Sequence, residues 1–212
     1  MKIALIGASG FVGSAILNEA VSRGHHVTAI VRDVSKVAAH PQVTTVAVDA
    51  QDPQALADVL KGHDRVISAY NPGWSAPDIH DQYLKGASAI VEAAKAAHSW
   101  LLVVGGAGSL EIAPGVQLVD TPDFPAEWKQ GALAARDGLT ALRRETTLNW
   151  RFVSPPVFLE PGEKRGGYRL GGDQVLFSGD KPAGITVGDL ANAVLNEAEQ
   201  PAHLRQRFTL GY

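Results

Sequence analysis

The sequence predicts an α/β fold of the doubly wound kind: a parallel sheet with helices on both faces and a small, irregular C-terminal lobe. Three observations lead to it. Apolar runs alternate with helix-period segments along most of the chain. Those runs are continuously apolar, as strands covered on both faces require, rather than alternating polar and apolar. The first of them opens directly into the turn Gly7-Ala8-Ser9-Gly10-Phe11-Val12-Gly13 and then into a helix.

Taken in order, Ile3 to Ile6 is the first strand. The helix after the glycine turn carries Val12, Ile16 and Ala20 on one face and ends near Arg23-Gly24, with Gly24 as its C-cap. Val27 to Val31 and Val43 to Val48 are the second and third strands. Pro53 to Leu60 is a helix, since Asp52 can cap it and proline suits its first position. Arg65 to Ala69 is a strand, the alanine-rich Asp81 to Ala97 a helix, and Trp100 to Val104 a fifth strand. Glu127 to Glu145 reads as a helix despite two glycines, and Asn149 to Val153 as a sixth strand stopped by Pro155-Pro156. Residues 157–184 turn to glycine, proline and charge, with strand-like pieces at Tyr168-Arg169-Leu170 and Val175-Leu176-Phe177, and form the expected substrate lobe. Val187 to Glu199 is the last helix and Arg207 to Leu210 a terminal strand. The expectation is a single domain spanning 1–212.

With 212 residues, 45% of them hydrophobic, the chain can bury one substantial core. A net charge of -3, spread through both halves, provides neither a basic stripe for nucleic acid nor a polybasic membrane anchor. The expected partner is therefore a small molecule, and the expected state a monomer or homodimer. Without cysteine there is no disulfide, dithiol or thiolate metal chemistry. The seven histidines are scattered and show no metal-ligand spacing, so no metal site is expected. No apolar run approaches the roughly 20 residues that span a bilayer, and the first strand leaves no room for a signal peptide, so the cytoplasm is expected.

The glycine spacing is G-x-x-G-x-x-G, a departure from G-x-G-x-x-G. A glycine triplet alone reads equally as a plain turn. Between a strand and a helix it reads as a dinucleotide site of Rossmann type, in which Gly7, Ser9, Gly10, Phe11, Val12 and Gly13 bring backbone N–H groups to a pyrophosphate at the helix N-terminus. Arg32 then emerges where the second strand ends, the position that discriminates the cofactors. A guanidinium there favours the 2'-phosphate of NADPH; Asp33, next in sequence, leaves NADH open. After the fourth strand, Ala69 permits close approach of the cofactor, Tyr70 or Asn71 can meet ribose or substrate, and Trp74 can wall an aromatic acceptor or plug the packing.

Several segments together resemble the NADH-flavin reductase-like group of atypical short-chain dehydrogenases/reductases, which has NmrA-like relatives. They are Lys2 to Gly13, Val103-Val104-Gly105-Gly106-Ala107-Gly108-Ser109-Leu110, Ser154 to Glu163, Ile185 to Ala191 and Arg207 to Tyr212. The resemblance covers essentially the whole chain and implies a nicotinamide cofactor and reduction of flavins, quinones or similar acceptors. It implies that Asp49, with Ala50 beside it, meets the adenine amino group, although a turn cap explains Asp49 equally. It implies that Ser109 is the superfamily's serine, able to hydrogen-bond an acceptor carbonyl, although a turn role fits too. Gly105, Gly106 and Pro155 would border the cofactor.

The wider superfamily's Tyr-x-x-x-Lys acid is absent: Tyr70, Tyr83 and Tyr168 are followed four residues later by Trp74, Ala87 and Gly172. Lys129, near that region, has no tyrosine partner. Carbonyl reduction by that device is disfavoured, as is a serine hydrolase, because G-x-S-x-G is missing. Hydride transfer to an electrophilic flavin or quinone ring needs no such acid. The expected activity is an NAD(P)H-dependent reductase of such acceptors; the alternative is a catalytically silent NAD(P)-binding redox sensor acting through a protein partner.

Overall fold

A computed structural model describes residues 1–212. The principal elements are β1 (Lys2–Ile6), α1 (Phe11–Ser22), β2 (His26–Val31), β3 (Val43–Ala47), α2 (Pro53–Leu60), β4 (Arg65–Ser68), α3 (Ile79–Ala96) and β5 (Trp100–Val104). They continue with α4 (Ala126–Arg143), β6 (Asn149–Ser154), β7 (Arg169–Gly171), α5 (Val187–Glu199) and β8 (Arg207–Gly211). The strands form one sheet in the order β7-β8-β6-β5-β4-β1-β2-β3. All neighbours are parallel except β7, which runs antiparallel to β8. No helix is long and apolar enough to cross a membrane.

Period-two alternation divides the strand side chains between two cores. Ile3 and Leu5 of β1 join Ile16, Leu102, Leu190 and Val194 on the face covered by α1 and α5. Ala4 and Ile6 join Leu56, Ile90, Leu101 and Trp150 on the face covered by α2, α3 and α4. Helices cover both faces of the central strands, which is why those runs carry no polar alternation, whereas β3 at the sheet edge stays partly exposed. The helix ends follow local chemistry. Asp52 Oδ1 accepts from the N–H groups of Gln54 (3.1 Å) and Ala55 (3.0 Å) to start α2, with Pro53 first in the helix. Thr186 caps α5 by accepting from Asp189 N–H at 3.2 Å.

Residues 157–184 are mostly irregular and carry only short strands. Phe158–Glu160 pairs with Gly184–Thr186, and Phe177–Ser178 pairs with Lys181–Pro182. β7 pairs with β8 through Leu170 opposite Leu210, so part of this segment belongs to the main sheet.

Chain order reverses between β1 and β4, since β2 and β3 lie on one side of β1 and β4 and β5 on the other. In open α/β sheets the crevice at such a switch point, beyond the carboxyl ends of the strands, is the place for a ligand. The glycine turn leaves β1 at that point.

Candidate functional site

Gly7 N–H donates to Ile30 O (3.0 Å) and Gly10 N–H to Gly7 O (3.1 Å), which folds the chain back at the end of β1. Gly7 has φ +79°, and a Cβ there would lie 2.7 Å from Ala69 O. A Cβ on Gly13 would lie 2.0 Å from Gly7 O. These two glycines let β1, α1 and the end of β4 close on one another. Gly10 differs: it is exposed, and an added Cβ would meet nothing nearer than Gly7 O at 3.4 Å.

Gly10 is the N-cap of α1 and brings no side-chain acceptor, and the first turn holds no acidic residue. Ser14 N–H is the first to reach a helix carbonyl, Gly10 O at 2.8 Å, so the N–H groups of Phe11, Val12 and Gly13 find no acceptor in the chain. Unpaired donors at the positive end of a helix dipole form an anion site. Ser9 and Phe11 are exposed around it and Val12 is half-buried. The arrangement fits a pyrophosphate: room at Gly10, three free donors and no competing carboxylate.

At the end of β2, Arg32 is exposed and has no carboxylate partner. Asp33 is committed locally. Its Oδ1 accepts from Ser35 Oγ (2.6 Å) and Ser35 N–H (3.0 Å), bonds that hold the carboxyl below its ordinary range and start the turn Val34–Lys36. Asp49, exposed after β3, accepts Gln51 N–H on Oδ1 at 2.9 Å, leaving its other oxygen free, while Ala50 behind it is buried.

Beyond β4 the structure separates residues that the sequence groups together. Ala69, half-buried, abuts Gly7. Tyr70 is a clamp: its hydroxyl donates to Gln82 O on α3 (3.0 Å) and accepts from Gln51 Nε2 (3.4 Å), and its ring occupies the space over Gly86. Burial pushes its pKa up. The hydroxyl expected to reach ribose or substrate is thus engaged by the protein. Asn71 Oδ1 accepts Gly73 N–H at 2.8 Å to shape the loop, and its exposed amide nitrogen is free. Trp74, 57% exposed, pairs with Trp128, 50% exposed, with ring centroids 5.2 Å apart and planes tilted by 56°. Gly131 of α4 makes room beneath Trp74, since a Cβ there would lie 2.6 Å from the indole. Trp128 is absent from the residues inferred above. The available signal was a tryptophan in the polar first turn of a helix, where burial does not call for one.

After β5, Gly105 is glycine because the Phe152 ring fills its Cβ position, at 1.9 Å. Gly106 has open space, the nearest atom to an added Cβ being 3.6 Å away on Ala135. Pro155 and Pro156 are buried at the end of β6. Ser109 departs from expectation. It is only 4% exposed, and its Oγ accepts from Arg207 Nη1 at 3.2 Å. The same nitrogen reaches Ser154 Oγ (3.1 Å), and Arg207 Nε reaches Asp173 Oδ1 (2.7 Å). Burial lowers the Arg207 pKa against the pull of Asp173. Ser109 belongs to a buried polar network, so the hydroxyl proposed for an acceptor carbonyl serves the packing between β5, β6 and β8.

The chain is similar to known proteins over its whole length. The uncharacterized protein YwnB of Bacillus subtilis (strain 168) is 41% identical over 99% of this chain and 98% of its own. A Bacteroides thetaiotaomicron structure provisionally named an epimerase is 41% identical, with TM-score 0.93, over 100% of this chain and 96% of that one. A Streptococcus pneumoniae TIGR4 structure provisionally named an NADH-flavin reductase is 39% identical, with TM-score 0.89, over 100% and 99%. The NAD(P)H-binding family matches residues 7–201, from the first glycine of the turn to just beyond α5, and the chain belongs to that family.

Proposed function

We propose that the protein is an NAD(P)H-dependent reductase of a flavin-like or quinone-like small molecule, acting in the cytoplasm and using NADPH in preference to NADH. The observation that carries this reading is the exposed Trp74–Trp128 pair on the loop after β4 and the first turn of α4, in a chain without a Tyr-x-x-x-Lys acid. Indole faces favour flat, electron-poor rings by stacking. A bound nicotinamide supplies the hydride.

The chain's own residues bind and orient. The α1 N-terminus holds the pyrophosphate, and Gly10 lets it approach. Arg32, unpaired where Asp33 is already used as a cap, is free for a 2'-phosphate. Asp49 keeps one oxygen for the adenine amino group. Trp74 and Trp128 fix the acceptor plane, which is the protein's contribution when ring electrophilicity removes the need for a protonating side chain. Water provides the proton that follows. The name of the pneumococcal relative supports the same reading.

The test is oxidation of NADPH and NADH by the purified protein with FMN, FAD and quinones, alongside Arg32→Ala and Trp74→Ala. Turnover with a flavin or quinone is expected, lost preferentially for NADPH in Arg32→Ala and with a raised acceptor KM in Trp74→Ala. Tight cofactor binding with no turnover across the panel would instead assign the protein as a sensor of cofactor state.

A further inference from the structure

A cavity of about 460 Å³ opens between α3 and α4, lined by neither the glycine turn nor the tryptophan pair. Val103 and Phe152 of the sheet form its floor, with Leu84 and Val91 of α3 on one wall and Gly138 and Ala141 of α4 on the other. Tyr83 lines it too. This tyrosine is 6% exposed, and its hydroxyl has no hydrogen-bond partner in the chain. Its neighbour Tyr70, with ring centroid 6.2 Å away, has its hydroxyl satisfied on both sides. The Tyr83 hydroxyl is therefore a donor left available to whatever occupies the cavity.

The size and chemistry of the space narrow what that is. The volume falls within the range of small-molecule pockets. The carboxylates at the rim are already matched: Asp137 with His80 (3.0 Å) and Arg136 (3.3 Å), and Glu145 with Lys95 (2.7 Å). Arg144 is exposed to solvent at the same rim, and the walls between Leu84, Val91, Ala141 and Phe152 are apolar, which penalises a charged guest inside. Burial pushes the Tyr83 pKa up to about 12, so at neutral pH it is a phenol that donates. A flat contact with another helix surface would leave both the depth and the Tyr83 hydroxyl unfilled.

We propose that the α3–α4 cavity is a second small-molecule site, distinct from the cofactor crevice, for a neutral one- or two-ring compound with a carbonyl oxygen that accepts from Tyr83 Oη. It stands independently of the reductase reading, since it requires neither cofactor nor turnover.

The test uses the bicyclic ketone indanone, which does not serve as a flavin or quinone surrogate, titrated into the cofactor-free protein and followed by backbone amide NMR. Saturable shifts at Leu84, Ala87 and Ala141 are expected. Tyr83→Phe should weaken binding about fivefold, the effect of one hydrogen bond, and Ala141→Phe, which fills the groove from an exposed position, should abolish it. Both variants should bind NADPH as the parent does. Absence of saturable shifts overturns the proposal. So does binding unaffected by either substitution, or binding that maps to Trp74 and Trp128. A dimer whose contact shifts cover Leu84, Ser88 and Ala141 would overturn it as well, by giving the face to a second copy of the chain.

Discussion

The glycine turn after β1 and the polar knot at the start of α5 treat their hydrogen-bonding groups in opposite ways. At the turn, three successive N–H groups and the Arg32 guanidinium have no partner. At the knot, the buried Asp189 carboxylate accepts from Tyr212 Oη (2.6 Å), Arg165 N–H (2.9 Å), Gly166 N–H (2.9 Å) and Thr186 Oγ1 (3.3 Å). Burial pushes the Asp189 pKa up, but the Tyr212 and backbone bonds outweigh it and the net shift is downward. Both regions carry sequence signals of similar strength, glycines in one and a Thr-x-x-Asp cap in the other. Satisfaction of the polar groups is what separates a site from a scaffold.

Point substitutions put this contrast to the test. The largest effect is expected for Gly13→Ala, where the new Cβ would lie 2.0 Å from a backbone oxygen and no flexible side chain can yield. A stability loss of roughly 3 kcal/mol, with loss of NADPH binding, should appear in thermal unfolding and titration. Gly10→Ala is the sharper probe: its Cβ has space in the protein but enters the proposed phosphate cradle. It should fold normally and bind NADPH at least roughly tenfold more weakly; unchanged binding would remove the turn from the site.

Asp189→Ala should cost about 3 kcal/mol by stranding two amides and the Tyr212 hydroxyl, yet leave the NADPH affinity of the folded protein intact. Because the folded carboxyl has a lowered pKa, its stabilisation is complete above the ordinary carboxylate value and is lost as pH falls through the lower folded one. Asp189→Asn should therefore flatten the acid limb of the stability profile.

Arg32→Ala should leave stability unchanged and reduce NADPH affinity roughly tenfold relative to NADH, the loss of a charge-assisted bond. The smallest effect belongs to His80, whose pKa is raised by its hydrogen bond to Asp137 and, less, by Asp81. This tie between α3 and α4 is complete below the ordinary histidine pKa and fades as pH rises through the raised value. His80→Gln should lose no more than about 0.5 kcal/mol, measurable as a difference between unfolding at pH 5.5 and pH 8.5.

Most of the fold was legible because its determinants are local. Asp52-Pro53 started α2 as expected, the apolar run Trp100 to Val104 is β5, and the boundaries of α5 agree. The glycine turn was legible for the same reason: strand, turn and helix adjoin in sequence. What escaped depends on partners far along the chain. Ser109 is buried by Arg207, 98 residues later. Trp128 gains meaning only beside Trp74, and Tyr70 becomes a clamp only because Gly86 on α3 leaves room for its ring. β7 counts as a strand of the main sheet because β8 arrives to pair with it. The short strands from 111 to 117, Glu111–Ala113 and Val116–Gln117, left no periodic signal at all.

The position of β8 also sets an order of assembly. It lies between β6 and β7, although both are synthesised before it. Until Arg207–Gly211 has emerged from the ribosome, β6 presents an open edge of main-chain groups, flanked by Phe152 and Val153, with nothing to cover it. Such an edge is a template for pairing with other nascent chains. A chain lacking β8 would leave that margin exposed. Translation stalled before residue 207 should yield aggregates rather than a folded fragment.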